Sequence, residues 1–173
     1  MRGLLTILVI ALSLLGSGAA FAQSAPADIV ADIYREAVRF DKAKSGLDAV
    51  YNDAKFRRRY FTASFRAVAD TIDAREKASN SAILDYDPIL ATNGFANVAG
   101  LVIKTEREDA RRARVVARFG VGKERASVVY VLVKEAGGWR VDDITAAPGS
   151  DSKDAWSVRR TLADDVAADA KKK

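Results

Sequence analysis

The chain has 173 residues, 49% of them apolar and 29% charged, a length and balance that fit one globular domain with appendages. Lys and Arg number 28 against 23 Asp and Glu, and the resulting +5 is too small and too evenly scattered to mark a nucleic-acid binder. With no Cys and no His, the composition excludes thiol nucleophiles, disulfides, iron–sulfur clusters, His-held haem, Ser-His-Asp and Cys-His catalysis and ordinary zinc sites.

The N-terminus reads as an export signal. Met1 and Arg2 form a positive start, Leu4 to Leu15 a short apolar stretch, and Ala20-Phe21-Ala22 a small-x-small cleavage site. The cut is expected after Ala22, which places the mature protein in the periplasm or outside the cell with no membrane span left. The stretch is short of the roughly 20 apolar residues of a spanning helix, and Gly16, Ser17 and Gly18 interrupt its continuation. Three segments follow from this: 1–22 as signal peptide, 23–148 as an α+β domain, and 149–173 as a C-terminal helix with a basic tail.

In the body, helices come first. Pro26 suits a first helical turn with Ser24 or Asp28 as cap, and Ile29, Ile33, Ala37 and Phe40 share one face, so a helix is expected over about 26–41. Lys44-Ser45-Gly46 breaks it. A second helical stretch is expected over about 53–77, with Thr62 able to cap a segment whose Phe61, Phe65, Val68 and Ile72 line up against a core. Pro88 and Asn93-Gly94 then end the helical period.

From residue 95 onward the pattern is that of strands. One candidate runs from Val98 to Thr105. Residues 111–121 alternate, with Ala113, Val115, Ala117, Phe119 and Val121 inward and Arg112, Arg114 and Arg118 outward. Ser127 to Lys134 is dense enough in Val and Leu to predict a central strand buried on both faces. Gly137-Gly138 allows a tight turn into a last strand, Trp139 to Ile144. Successive hairpins predict an antiparallel sheet of about four strands under the N-terminal helices. After Pro148 comes an amphipathic segment with Ala155, Leu162 and Val166 roughly in line, ending in Lys171-Lys172-Lys173.

Tyr60-Phe61-Thr62, Asp85-x-Asp87-Pro88-Ile89, the strand Tyr130 to Lys134 and Trp139-x-Val141-Asp142-Asp143-Ile144 together resemble a known family. It is the DUF3828 family of exported bacterial domains of unknown function, similar in outline to the NTF2-like, cystatin-like superfamily. The match covers about Ile29 to Ile144; where that family usually has Gln-Asp after the Asp-Pro, this chain has Thr92-Asn93. The resemblance implies a cone, with helices over the concave side of a bent sheet and a cavity between, and no established activity. Related cavities in the superfamily host isomerases and dehydratases that use Asp and Tyr.

Candidate chemistry concentrates in carboxylates. Asp85 and Asp87 lie on the loop, Asp142 and Asp143 on the last strand. Alternation puts Asp143 on the face of Trp139 and Val141, whereas a bulge would exchange it with Asp142. An inward carboxylate held at raised pKa could serve as a general base, with Tyr34, Tyr51 or Tyr86 as donors. The candidate ligand-binding set is Tyr34, Asp85, Asp87, Trp139 and Asp143; were the protein an enzyme of lyase or isomerase type, Asp143 or Asp142 would be the base. The plainer reading has the loop carboxylates capping turns and Asp143 pairing locally. Asp85-x-Asp87 lacks the Gly and terminal Glu of an EF-hand loop, so no metal or other cofactor is expected. The clusters Arg57-Arg58-Arg59, Arg111-Arg112-x-Arg114 and Lys171 to Lys173 are expected to be solvated surface. The expectation that results is a non-catalytic binding module for a small apolar or amphipathic ligand or an envelope protein. A small pocket enzyme is the alternative, and an envelope interaction or immunity-type protein acting through its sheet face is a third.

Overall fold

The structure, a computed structural model, describes residues 24–43, 50–84, 86–91, 98–121, 124–148 and 155–171. The proposed leader and Asp85 lie outside the described residues. Helix α1 spans Pro26–Ala43. Pro26 occupies its first turn, and the Asp28 carboxylate accepts from the Ala25 amide at 3.0 Å, satisfying a donor that a helix start leaves open. The buried stripe is Val30, Ile33, Tyr34 and Ala37; Ile29 and Phe40 sit at its half-buried edge.

After a 3₁₀ turn at Val50–Asn52, the helical stretch expected over 53–77 is two helices, α2, Ala54–Tyr60, and α3, Ala63–Ser79, the second starting at the Thr62 cap that the sequence offered. The break is made by caps. Asp53 accepts from the Phe56 amide at 2.7 Å and Thr62 from the Phe65 amide at 3.0 Å, while Phe61 and Thr62 are extended. The extended pair bridges to the sheet, with the Thr62 amide donating to Val141 O at 2.9 Å. Phe61, Phe65 and Ile72 are buried and Val68 packs at the margin, so the expected ridge faces the core.

The strands form one antiparallel meander in the order β1 (Ala99–Glu108), β2 (Arg112–Val121), β3 (Glu124–Glu135), β4 (Gly138–Pro148) and β5 (Trp156–Ser157). The last of these, a two-residue strand against Thr145 and Ala146, adds to the four that were expected. Gly138, at φ +109°, closes the β3–β4 hairpin in a conformation that a side chain would strain. Helix α4, Val158–Ala170, follows with Ser157 as its cap. Its anchor is Val158, fully buried; Ala155 precedes the helix and Val166 is 47% exposed, so the stripe expected through those two is not the packed one.

Helices and sheet share one core. Its strand residues are Ala113, Val115, Ala117 and Phe119 on β2, Val128, Tyr130 and Leu132 on β3, and Trp139, Val141, Ile144 and Ala146 on β4. Contrary to expectation, β3 is fully buried on this face alone: Val129, Val131 and Val133, on the other, are half-buried. The architecture is therefore α+β, with helices on one side of an open sheet and the other side wet. Among the described residues no helix is long and apolar enough to cross a membrane.

Candidate functional site

The structure divides the predicted site residues among three places. The first is the underside of the loop at residues 86–91. Tyr34 reaches up from α1, and its hydroxyl donates to Ile89 O at 3.1 Å. Asp87 shapes the same loop, its Oδ1 accepting from the amides of Ile89 at 2.7 Å and Leu90 at 3.3 Å. Tyr130 enters from β3, its ring edge-on to Tyr34 with centroids 6.2 Å apart. Burial pushes both phenols well above their ordinary range, and the Asp87 carboxylate adds to the rise. The two phenol oxygens sense each other, but a well-formed hydrogen bond between them is not made. Tyr34 and Phe119 stack edge to face at 5.3 Å, and Phe61 meets Phe65 at 4.8 Å, so aromatic rings fill the space between helices and sheet.

Trp139 stands apart from this cluster. It is buried at the start of β4 opposite Lys134, whose ammonium lies 5.4 Å from the ring centre. Tyr130 is four residues further along β3, about 13 Å away at strand rise.

Asp142 and Asp143 occupy the third place, and a β-bulge decides it. Leu132 pairs with Val141 but Val131 pairs with Asp143, so Asp142 is the extra residue. The inward phase thereby switches from Trp139 and Val141 to Ile144 and Ala146. Simple alternation had put Asp143 inward with Trp139; the bulge removes it from the core phase and leaves it half-buried. The bulge lies between the two edge partners of β4, Phe61 at Val141 and β5 at Thr145, where the starts of α3 and α4 converge.

Both carboxylates work as knots there. Asp142 Oδ1 accepts from Thr62 Oγ1 at 2.7 Å, Ser64 Oγ at 2.9 Å and Arg159 Nη2 at 2.8 Å, while Arg159 Nε donates to Asp142 O at 2.6 Å. Burial alone would raise its pKa, but the bonds from Thr62, Ser64 and Arg159 outweigh that and hold it below the usual carboxylate range. Asp143 accepts from Ser157 Oγ at 2.6 Å, the Ile144 amide at 2.9 Å and the Arg159 amide at 3.3 Å, receiving the first turn of α4. For Asp143 burial prevails over these bonds and the pKa is raised.

Two features escaped the sequence reading. Arg57, expected in a solvated cluster, is 4% exposed. Its Nε donates to Tyr51 O at 2.7 Å, and its terminal nitrogens grip Asp73 at 2.6 and 3.1 Å, Asn52 at 3.2 Å and Asp70 at 3.3 Å. The available signal was the spacing Asp70-x-x-Asp73, which sets two carboxylates on one face of α3. The second feature is a concavity of about 600 Å³ at the β1–β2 turn, lined by Glu106, Arg107, Glu108, Asp109, Arg112, Ala113, Arg114 and Val131.

No protein-family model matches the chain, and no curated protein or solved structure is recognisably similar to it.

Proposed function

We propose that the protein is an exported, non-catalytic binding module whose ligand or envelope partner meets the outward face of the sheet around the β1–β2 turn. One contrast carries the reading. Tyr34, Phe61, Phe65, Phe119 and Tyr130 pack under the helices at no more than 3% exposure, whereas the concavity of about 600 Å³ opens beside the half-buried Val131. Six of its eight lining residues are charged, with Ala113 and Val131 as the apolar part. The enzyme alternative needs an inward carboxylate that shares a ligand atom with a tyrosine hydroxyl. Here Asp142 Oδ1 accepts from Thr62, Ser64 and Arg159, both Asp143 oxygens accept at the start of α4 and its own strand, and Asp87 Oδ1 accepts from its own loop.

Membership of the DUF3828 family and the NTF2-like cone belong to the same proposal. A helical layer on one face of a meandering sheet supports it, as does the Asp87-Pro88-Ile89 loop seated on Tyr34. Periplasmic or secreted location rests on the leader pattern of residues 1–22.

A photo-crosslinking residue placed at Val131, on the outward face, and another at Ser79, the exposed end of α3, test the surface in the native envelope. The expected result is a discrete adduct from Val131 and none from Ser79. Equal labelling from both positions, or none from Val131, overturns it.

A further inference from the structure

The β1–β2 turn carries a charge arrangement that the fold itself does not need. Arg107 on β1 is registered opposite Arg114 on β2, so two guanidinium groups face each other across neighbouring strands, a pairing that is unfavourable by itself. Arg112 lies two residues from Arg114 and therefore on the same face. All three line the concavity. Arg114 is engaged by Glu106 at 3.0 Å, and Glu106 is shared with Arg118 at 3.5 Å. Among the described residues neither Arg107 nor Arg112 makes an ion pair.

The carboxylates nearby offset this charge only in part. Asp109 Oδ1 is held by the amides of Arg111 at 2.7 Å and Arg112 at 2.8 Å, and those backbone bonds, with a smaller attraction to the Arg112 and Arg111 charges, keep its pKa low. Glu108 pairs with Ala113, in the opposite strand phase from Arg107. Across residues 104–118 six cationic side chains stand against three carboxylates. What remains is two guanidinium forks that make no ion pair among the described residues, beside a third and next to the half-buried Val131. That geometry suits a tetrahedral or planar oxyanion taken by two guanidinium groups at once.

Resting on the outward-face reading, we propose that this concavity binds a phosphate group carried on a small organic body, with Arg107 and Arg112 as the anion-binding residues and Arg114 positioned by Glu106 beside them. The phosphate relieves the Arg107–Arg114 repulsion, and Val131 contacts the apolar part of the ligand. The phosphate could come from a soluble phosphorylated metabolite or from a phospholipid headgroup, because the recognising chemistry is shared.

The test uses the protein as the cell processes it, labelled for amide NMR. It is titrated separately with inorganic phosphate, glucose 6-phosphate, and vesicles of phosphatidylglycerol in phosphatidylcholine, at fixed ionic strength. Saturable shifts confined to residues 106–114 and 131 are expected from glucose 6-phosphate, or line broadening confined there from the anionic vesicles, the two arms separating the two sources. Arg107→Gln with Arg112→Gln should weaken binding by about tenfold or more at unchanged folding, as expected when two charge-assisted bonds are lost. Arg58→Gln, in an exposed basic cluster elsewhere, should leave it unchanged. Absence of saturation with every probe, or equal shifts at all basic clusters, or binding that survives the double variant, overturns the proposal. If Val131 still crosslinks in the envelope while no phosphate probe binds, only the ligand class falls; if both fail, the outward-face reading falls with it.

Discussion

Arg57 shows how much one buried guanidinium organises. It ties the 3₁₀ turn to α2 through Tyr51 O and Asn52, and α2 to α3 through Asp73 and Asp70. Asp73 and Asp70 remain substantially exposed, so truncation strands no buried carboxylate but opens a gap and orphans the Tyr51 carbonyl. Arg57→Ala should lower unfolding free energy by about 2 kcal/mol, and Arg57→Lys should recover less than half of it, because an ammonium lacks the fork geometry. Urea denaturation measures both. A loss below about 0.5 kcal/mol for the alanine variant would show the cluster to be surface decoration.

The acidic pair on β4 makes a pH prediction with opposite signs. The folded pKa of Asp142 is lowered, so its stabilisation is present above the unfolded value of about 3.9 and is lost as pH falls through the folded value. That of Asp143 is raised, so its contribution is present below about 3.9 and is lost as pH rises through the folded value. Asp142→Asn should therefore cost about 1–2 kcal/mol at neutral pH, and the gap to the wild type should close as the pH drops toward 2. Asp143→Asn should cost least at neutral pH, where the wild-type charge is half-buried. Thermal unfolding of the three proteins from pH 2 to 7 reads this directly; parallel curves would contradict it.

Among the elements, α4 depends on its first residue more than on its amphipathic pattern. Val158 is fully buried, and Arg75 on α3 holds the far end through Asp165 and Asp169. Val158→Ala should cost about 2 kcal/mol, whereas Val166→Ala, at an exposed position, should change stability by less than about 0.5 kcal/mol. Equal effects, measured by denaturant unfolding, would mean that the helix packs on the other stripe.

The same contrast explains what the sequence made legible. Period two on β2 was readable because one face is wet, and arginines mark it. On β3 the outward positions are also valines, so a half-buried face looked like a buried one. Thr62 marked the start of α3, although Phe61 and Phe65 keep a spacing of four across the α2–α3 break and blur the end of α2. The β4 bulge could not be placed, since Asp142 and Asp143 are chemically alike and their phase depends on the partners Phe61 and β5. Tyr34 and Asp87 did come together beneath one loop, yet as a packed phenol and a turn cap. Arg57 was lost among its exposed neighbours.

For the whole molecule, the layered architecture sets where binding can occur. A sheet covered on one side by α1, α3 and α4 and filled by aromatic rings presents its other side to solvent. On that side Val116 is itself buried, at 2% exposure, between its cross-strand neighbours Lys104 and Val129, while Arg112 and Arg114 border the half-buried Val133 and Val131. A surface of this kind, apolar strips framed by cations, is suited to amphipathic anionic partners rather than to a sealed apolar ligand.

Solvent paramagnetic relaxation of the protein, with a soluble neutral radical and NMR detection of methyl and aromatic signals, tests that division most directly. Strong relaxation of the Val129 and Val131 methyls alongside protected Tyr34, Phe65 and Tyr130 rings is the predicted result. Relaxed Tyr34 and Tyr130 rings, with Val129 and Val131 shielded, would put the accessible site under the helices and contradict the account.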